Sequence, residues 1–195
     1  MDQRVREFHS IMPIENIPSV LELGILSNER VLALKHRSVA MQEVQDRRDK
    51  KKVPGGLKLH QYANLYFHAR NPMLYKRKNE AVRLCILRIS TEVTTEKGVV
   101  FTDCNAASDY VRFLHPSQWR VLDFDAIFAL DWRHPNDEIA NFRHRSQKCA
   151  EILVPHCVDA KYLIGAYVVD AVSLKQLKNR GFDLPISINS AIFFR

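Results

Sequence analysis

The stretch "VRLCILRIS" at residues 82–90 is the clearest of several short apolar runs, and the links between those runs constrain the fold more than any other feature. Similar strand-length runs occur at 64–69 ("NLYFHA"), 98–103 ("GVVFTD"), 163–171 ("LIGAYVVDA") and 186–194 ("ISINSAIFF"). A further run, "CAEILVPHC" at 149–157, is stopped by Pro155. Helical spacing appears at 14–26, where Ile17, Val20 and Leu21 share a face before Gly24. The spacing also predicts helices at 38–50 (Val39, Met41, Val44), at 138–149, at 172–181 closed by Gly181, and from Asn105 as a cap into 104–114. Residues 51–62, "KKVPGGLKLHQY", read as a loop around Pro54, Gly55 and Gly56. Strands outnumber helices, and most are joined by short polar links rather than long crossovers. That pattern favours α+β over a doubly wound sheet.

With 46% hydrophobic and 26% charged residues, 195 residues suit one globular domain covering 1–195. No apolar run reaches 18 residues and "MDQRVREFHS" lacks an apolar leader core, so no membrane association and a cytoplasmic location are expected. The four cysteines, Cys85, Cys104, Cys149 and Cys157, form no CxxC pair. Neither a disulfide framework nor a metal site is expected. GxGxxG and GxxxxGK[ST] are both missing, so the two commonest nucleotide loops are unsupported.

The formal charge is +7, and it is uneven. Lys35, Arg37, Arg47, Arg48, Lys50, Lys51 and Lys52 face three acids in that stretch, and Arg70, Lys76, Arg77 and Lys78 follow. Such clusters suit polyanions, nucleic acid first. A solvated basic helix accounts for the charge equally well.

Glu151 is the anomaly. A carboxylate inside "AEILV" costs free energy out of water unless it is paired, at a mouth, or catalytic. On a strand edge it can hold a sugar hydroxyl and stabilise positive charge at an anomeric carbon. The blander reading pairs it with Lys148 or Arg145 at a sheet rim. His9 in "REFHSI" can reach a ligand or simply be a satisfied structural residue. Arg47 and Arg48 can meet phosphates. The segment "LYFHARNPMLY" gathers Tyr66, Phe67 and Tyr75 around Pro72 and Met73, either as a stacking wall or as a core strand with a packed turn. Thr102, Asp103 and Asn105 in "FTDCNAAS" are explained by capping and turn formation alone.

Taken in order, "FHS…ENIPSVLELGIL", "VQDRR…VP", "LYFHARNPMLY", "FTDCNAAS", "LDFDAIFALDW" and "AEILVP" resemble the DarT family of DNA ADP-ribosyltransferase toxins. The likeness runs from Phe8 to about Pro155 and weakens in the terminal strands. It implies an ADP-ribosyltransferase fold, α+β with split mixed or antiparallel sheets and flanking helices, in which NAD, the co-substrate, lies between two small sheets. On this resemblance Glu151 and Arg48 are catalytic. His9, Ser10, Ile11, Arg48, Tyr66, Phe67 and Leu74 are expected to contact NAD. Arg47, Lys50, Lys51, Lys52, Tyr75, Lys76 and Arg145 are expected to contact nucleic acid. Three positions depart from the family pattern: Ile11 stands for a threonine, Asn71 for a serine and Cys104 for a glycine. The stretch between Tyr75 and Val82 is also shorter and more basic.

What the resemblance implies is transfer of ADP-ribose to a base of single-stranded DNA, toxicity, and a macrodomain antitoxin of the DarG type that removes the mark. An unpaired acceptor is expected because a ring nitrogen inside a duplex is committed to pairing. Three rival readings remain: an RNA or protein acceptor, a non-catalytic basic nucleic-acid module, and a plain NAD glycohydrolase.

Overall fold

The computed structural model describes residues 1–32, 34 and 42–195. Strands β1 (Phe8–Pro13), β2 (Ile25–Leu26), β3 (Tyr62–Tyr66), β4 (Leu84–Ile89), β5 (Val100–Thr102), β6 (Phe113–Leu114), β7 (Glu151–Pro155), β8 (Cys157–Val158), β9 (Leu163–Val168) and β10 (Ile186–Ile188) alternate irregularly with helices. The helices are α1 (Ile17–Leu23), α2 (Asn28–Val31), α3 (Gln42–Asp49), α4 (Pro72–Lys76), α5 (Phe124–Phe128), α6 (Glu138–Gln147) and α7 (Ala171–Lys178). Eight strands form one sheet in the order β10-β9-β4-β1-β3-β7-β5-β6, and β2 pairs with β8 apart from it. Among the described strands only the β10–β9 pair is parallel. The α+β class and the mostly antiparallel sheet therefore agree with the sequence reading.

The run at 82–90 is apolar on both sides because β4 is covered on both sides: five of its six residues are buried. On one face Phe8, Phe67 and Phe101 meet edge to face, with ring centroids 5.2–6.2 Å apart. Burying each such ring stabilises the fold by roughly 2–3 kcal/mol. The other face carries Ile11, Tyr66, Leu74 and Ile86, capped by Ile192 and Phe193. Gly24 ends α1 at φ +77°, and a Cβ there would stand 2.3 Å from the Val158 carbonyl oxygen. Glycine thus lets the end of α1 lie against β8.

The sheet is made of two four-stranded halves. In one, β1 and β4 pair through six residues, from Phe8↔Ile89 to Pro13↔Leu84. In the other, β3 and β7 pair through five, from Tyr62↔Pro155 to Tyr66↔Glu151. The halves join only at His9↔Tyr66. The expected split is present as this weak seam within one sheet.

Some expectations fail for local reasons. Residues 104–112 form turns rather than a helix. The Ala106 N–H, which a first helical turn would leave unpaired, donates to Glu151, and the Arg112 N–H closes onto Asp103. The last strand stops at Ile188 and a 3-10 turn, Ser190–Phe193, drives Ile192 and Phe193 into the core. Val82 and Arg83 belong to a 3-10 turn before β4. The apolar face expected from Val39, Met41 and Val44, like the basic residues Lys35 and Arg37, lies outside the described residues and side chains.

Candidate active site

The site grows from the seam. Beyond His9↔Tyr66 the two central strands no longer pair, and Ser10 and Ile11 of β1 face Asn64 and Tyr66 of β3 across a cleft of about 640 Å³. That volume is within the range of small-ligand sites. Glu151, the first residue of β7, stands opposite Tyr66 and lines the same cleft.

Glu151 is only 1% exposed, and each of its polar groups is engaged. Its N–H donates to the Thr102 hydroxyl at 2.9 Å, which in turn donates to the Cys104 carbonyl at 2.7 Å. Oε1 accepts the Ala106 N–H at 2.9 Å, and Oε2 accepts from Arg48 Nη1 at 2.9 Å. Arg48, in the last turn of α3, is 5% exposed. A buried carboxylate so held has its charge compensated and its orientation fixed from two directions. Each oxygen keeps further acceptor capacity. Burial, and then the Glu151 charge, push the Tyr66 phenol well above its ordinary range. The same two causes raise the Cys149 thiol to about 12, so the cysteine on the cleft wall is a neutral thiol and not a thiolate nucleophile.

The lining differs in chemistry along the chain. Among the described residues, the part of the lining drawn from 10–31 carries no ring other than proline's and no cation. The later segments contribute Arg47, Arg48, Lys76, Tyr110, Phe142 and Arg145.

Other residues singled out in the sequence are placed as follows. His9 is buried beside the cleft rather than on its lining. Its Nε2 lies 3.1 Å from Glu7 Oε1, and its Nδ1 is buried without a partner. Burial raises the Glu7 carboxyl, but the hydrogen bonds from His9 and Arg88 outweigh it and hold the group at about 2. Ser10, Ile11, Tyr66, Arg47, Lys76 and Arg145 line the cleft. Phe67 and Leu74 do not: both are fully buried in the core. Successive strand side chains point to opposite faces, which sends Phe67 into the cluster with Phe8, Phe101 and Phe124 while Tyr66 takes the cleft side. Leu74 is the buried residue of the short helix α4. Tyr75 is half exposed against Trp132 and Phe194, away from the cleft lining. Lys50 and Lys52 also lie off the lining, exposed or part exposed, and Lys51 is drawn to the Ser108 carbonyl and to Asp109 at 3.0 Å.

Glu151 is thus paired with Arg48 and not with Lys148 or Arg145. Thr102, Tyr110 and Phe142 were not foreseen as site residues. Thr102 has the signal of an ordinary turn, and an isolated exposed aromatic has none.

Among the described residues no group of three or more His, Cys, Asp or Glu side chains is placed to hold a metal, and no helix is long and apolar enough to cross a membrane.

The family model described as "ssDNA thymidine ADP-ribosyltransferase, DarT" matches residues 9–194. A DNA ADP-ribosyl transferase–DNA ADP-ribosyl glycohydrolase fusion protein of Thermosipho africanus is 31% identical over 205 residues, covering 100% of this chain and 51% of the fusion. This chain therefore spans about half the length of that relative. A DNA ADP-ribosyl transferase of Thermus sp. is 32% identical over 159 residues, covering 75% of this chain and 73% of the relative. The solved structure of Thermus sp. 2.9 DarT in complex with ADP-ribosylated ssDNA superposes with a TM-score of 0.81 at 26% identity, covering 96% of each chain. By the extent of the match and the shared fold, the chain belongs to the DarT family.

Proposed function

We propose that this chain is a single ADP-ribosyltransferase domain that moves ADP-ribose from NAD to a thymidine base of single-stranded DNA. The observation that carries the reading is Glu151, fixed on the cleft floor by Arg48, Ala106 and Thr102 in a chain whose family model is described by that reaction. The nicotinamide ribose sits with a hydroxyl on the carboxylate. The C1′–N bond breaks with its electron pair passing to the nicotinamide ring, and the positive charge left on the sugar is stabilised by Glu151 in a site of low dielectric. An acceptor ring nitrogen supplies the electron pair for the new C1′–N bond and releases its proton to solvent. Arg48 holds the carboxylate in place and presents its remaining N–H donors to the acceptor.

Of the residues expected to contact NAD, Ser10, Ile11 and Tyr66 stand on the lining and His9 just behind it, which supports NAD along the β1 side. Arg47, Lys76 and Arg145 on the lining support a polyanionic strand entering the same cleft. The fusion relative carries a glycohydrolase, which supports a toxic modification reversed by a DarG-like partner.

The test incubates the protein with labelled NAD and a mixed-sequence single-stranded DNA, with an RNA strand and a Glu151→Gln variant alongside. Label on DNA thymidines that vanishes in the variant is expected. Label on RNA alone, or nicotinamide release equal with and without DNA, overturns the assignment.

A further inference from the structure

Two aromatic rings on the cleft lining are largely exposed. Tyr110 is 85% exposed and Phe142 63% exposed, yet both line the cleft that holds Glu151. Neither is on a loose segment. Tyr110 stands on a turn tied by Asn105 Oδ1 to the Ala107 N–H at 2.8 Å, by Ser108 Oγ to the Tyr110 N–H at 3.3 Å, and by Asp103 to the Arg112 N–H at 2.9 Å. Phe142 lies on α6, capped by Asp137, a helix in which no residue is fully buried. A ten-residue helix with that composition presents Phe142 and Arg145, one turn apart, to the same cleft.

We infer that Tyr110 and Phe142 are stacking platforms for the nucleobases that flank the target base. This rests on the single-strand acceptor proposed above. An occupant of this part of the cleft must offer flat π faces to the rings and negative charge to Arg145, one turn from Phe142. A single strand does both, because unpaired bases stack on aromatic side chains while the backbone carries the charge. The adenine and pyrophosphate of NAD share that chemistry in miniature. Among the described residues, the lining drawn from Ser10 to Val31 carries neither aromatic ring nor cation, and NAD is assigned to that β1 segment. Two separate platforms at one mouth also suit a strand that runs past the site on both sides of an unstacked base.

The test measures binding of a thymidine-containing single-stranded oligonucleotide by fluorescence anisotropy, without NAD. A second oligonucleotide has abasic residues on either side of the thymidine. Tyr110→Ala and Phe142→Ala are each expected to weaken binding by about 5- to 150-fold, the span base–ring stacking gives. Tyr110→Phe keeps the ring and the affinity. The strand abasic on both sides loses the product of the two factors against the unmodified protein, and on that strand each alanine variant binds as the unmodified protein does. Alanine variants within twofold of the parent, or losses equal on both strands, overturn the inference. So does a rise in KM for NAD larger than the fall in affinity for DNA, which would seat the adenine on these rings. Ring-dependent binding with no label transferred from NAD overturns the proposed reaction and leaves the platforms standing. Label transfer with ring-independent binding overturns the platforms alone, and absence of both binding and label overturns both.

Discussion

Lys148 and Glu151 sit one short step apart where α6 gives way to β7, each only 1% exposed, and they spend their charge differently. Lys148 Nζ donates to the carbonyls of Ile127 and Ala129 at 2.7 and 2.8 Å and lies 3.1 Å from His68 Nδ1. Three N–H donors meet three acceptors, nothing is left over, and the residue is not on the cleft lining. Burial brings its pKa down to about 8, which leaves the amine protonated at neutrality with all three donors. Burial, and next Lys148, hold His68 at about 3, so the imidazole is neutral and can accept. Glu151 is also bonded on every side, but its oxygens keep capacity and open on a cleft. Burial of a charge therefore marks neither structure nor chemistry. Unspent hydrogen-bonding capacity with access to a ligand does.

Substitution separates the two roles. Glu151→Gln keeps the shape and the oxygen that meets Ala106, and is expected to lower transfer on the order of 10²–10³-fold while the fold persists. A Glu151→Gln enzyme with near-parental kcat would remove Glu151 from the chemistry. Lys148→Met does the reverse: two carbonyls and an imidazole lose their donor inside the protein, at a cost of about 3 kcal/mol. For a chain of this size that lowers Tm by roughly 6–12 °C, read by calorimetry, with kcat per folded molecule retained. Loss of kcat without loss of Tm would instead place Lys148 in the site's machinery.

The sequence exposed Glu151 because a carboxylate framed by Ile152, Leu153 and Val154 has no cheap place to go. It did not expose the partner. Lys148 and Arg145 are near in sequence, whereas Arg48 is 103 residues away and reaches Glu151 only because the fold brings the end of α3 beside it. Strands β3, β4, β5, β7, β9 and β10 were legible from their apolar runs, and α1, α6 and α7 from helical spacing; β1 and the two-residue strands β2, β6 and β8 were not, since their short or mixed runs have no strand pattern of their own. The turn after β5 was not, because the Ala106 N–H and Asp103 answer to Glu151 and Arg112, contacts that no local pattern encodes. For the same reason the sequence grouped Phe67 with Tyr66: composition lists neighbours, and only the pleat separates their faces.

The His68 side of the comparison is sharpened by pH. The unfolded chain takes up a proton near 6.5 that the folded imidazole refuses until about 3, so stability falls as pH drops through this window. Glu7, held at about 2 in the fold, adds its own loss only below about 4.5. Between pH 6.5 and 4.5 the histidine contribution stands apart and amounts to roughly 2 kcal/mol. His68→Gln keeps an acceptor for Lys148 and should flatten denaturant midpoints over those two pH units. An unchanged slope would show that His68 protonates freely in the fold.

The smallest effect belongs to Thr102, whose buried hydroxyl takes the Glu151 N–H and passes its own proton to Cys104. Thr102→Val is nearly isosteric, so it removes this relay without opening a cavity. Arg48 and Ala106 still hold the carboxylate oxygens, but the backbone that carries the carboxylate loses its tie, and a loss of about 1 kcal/mol, near fivefold in kcat, is expected. KM for NAD should move less than kcat, since the misplacement matters most where charge develops. Thr102→Ser restores the hydroxyl and should restore the rate. If Thr102→Val lowers Tm and leaves kcat alone, the first strand residue is held by its side chain only, and the site depends on Arg48 and Ala106 for its geometry.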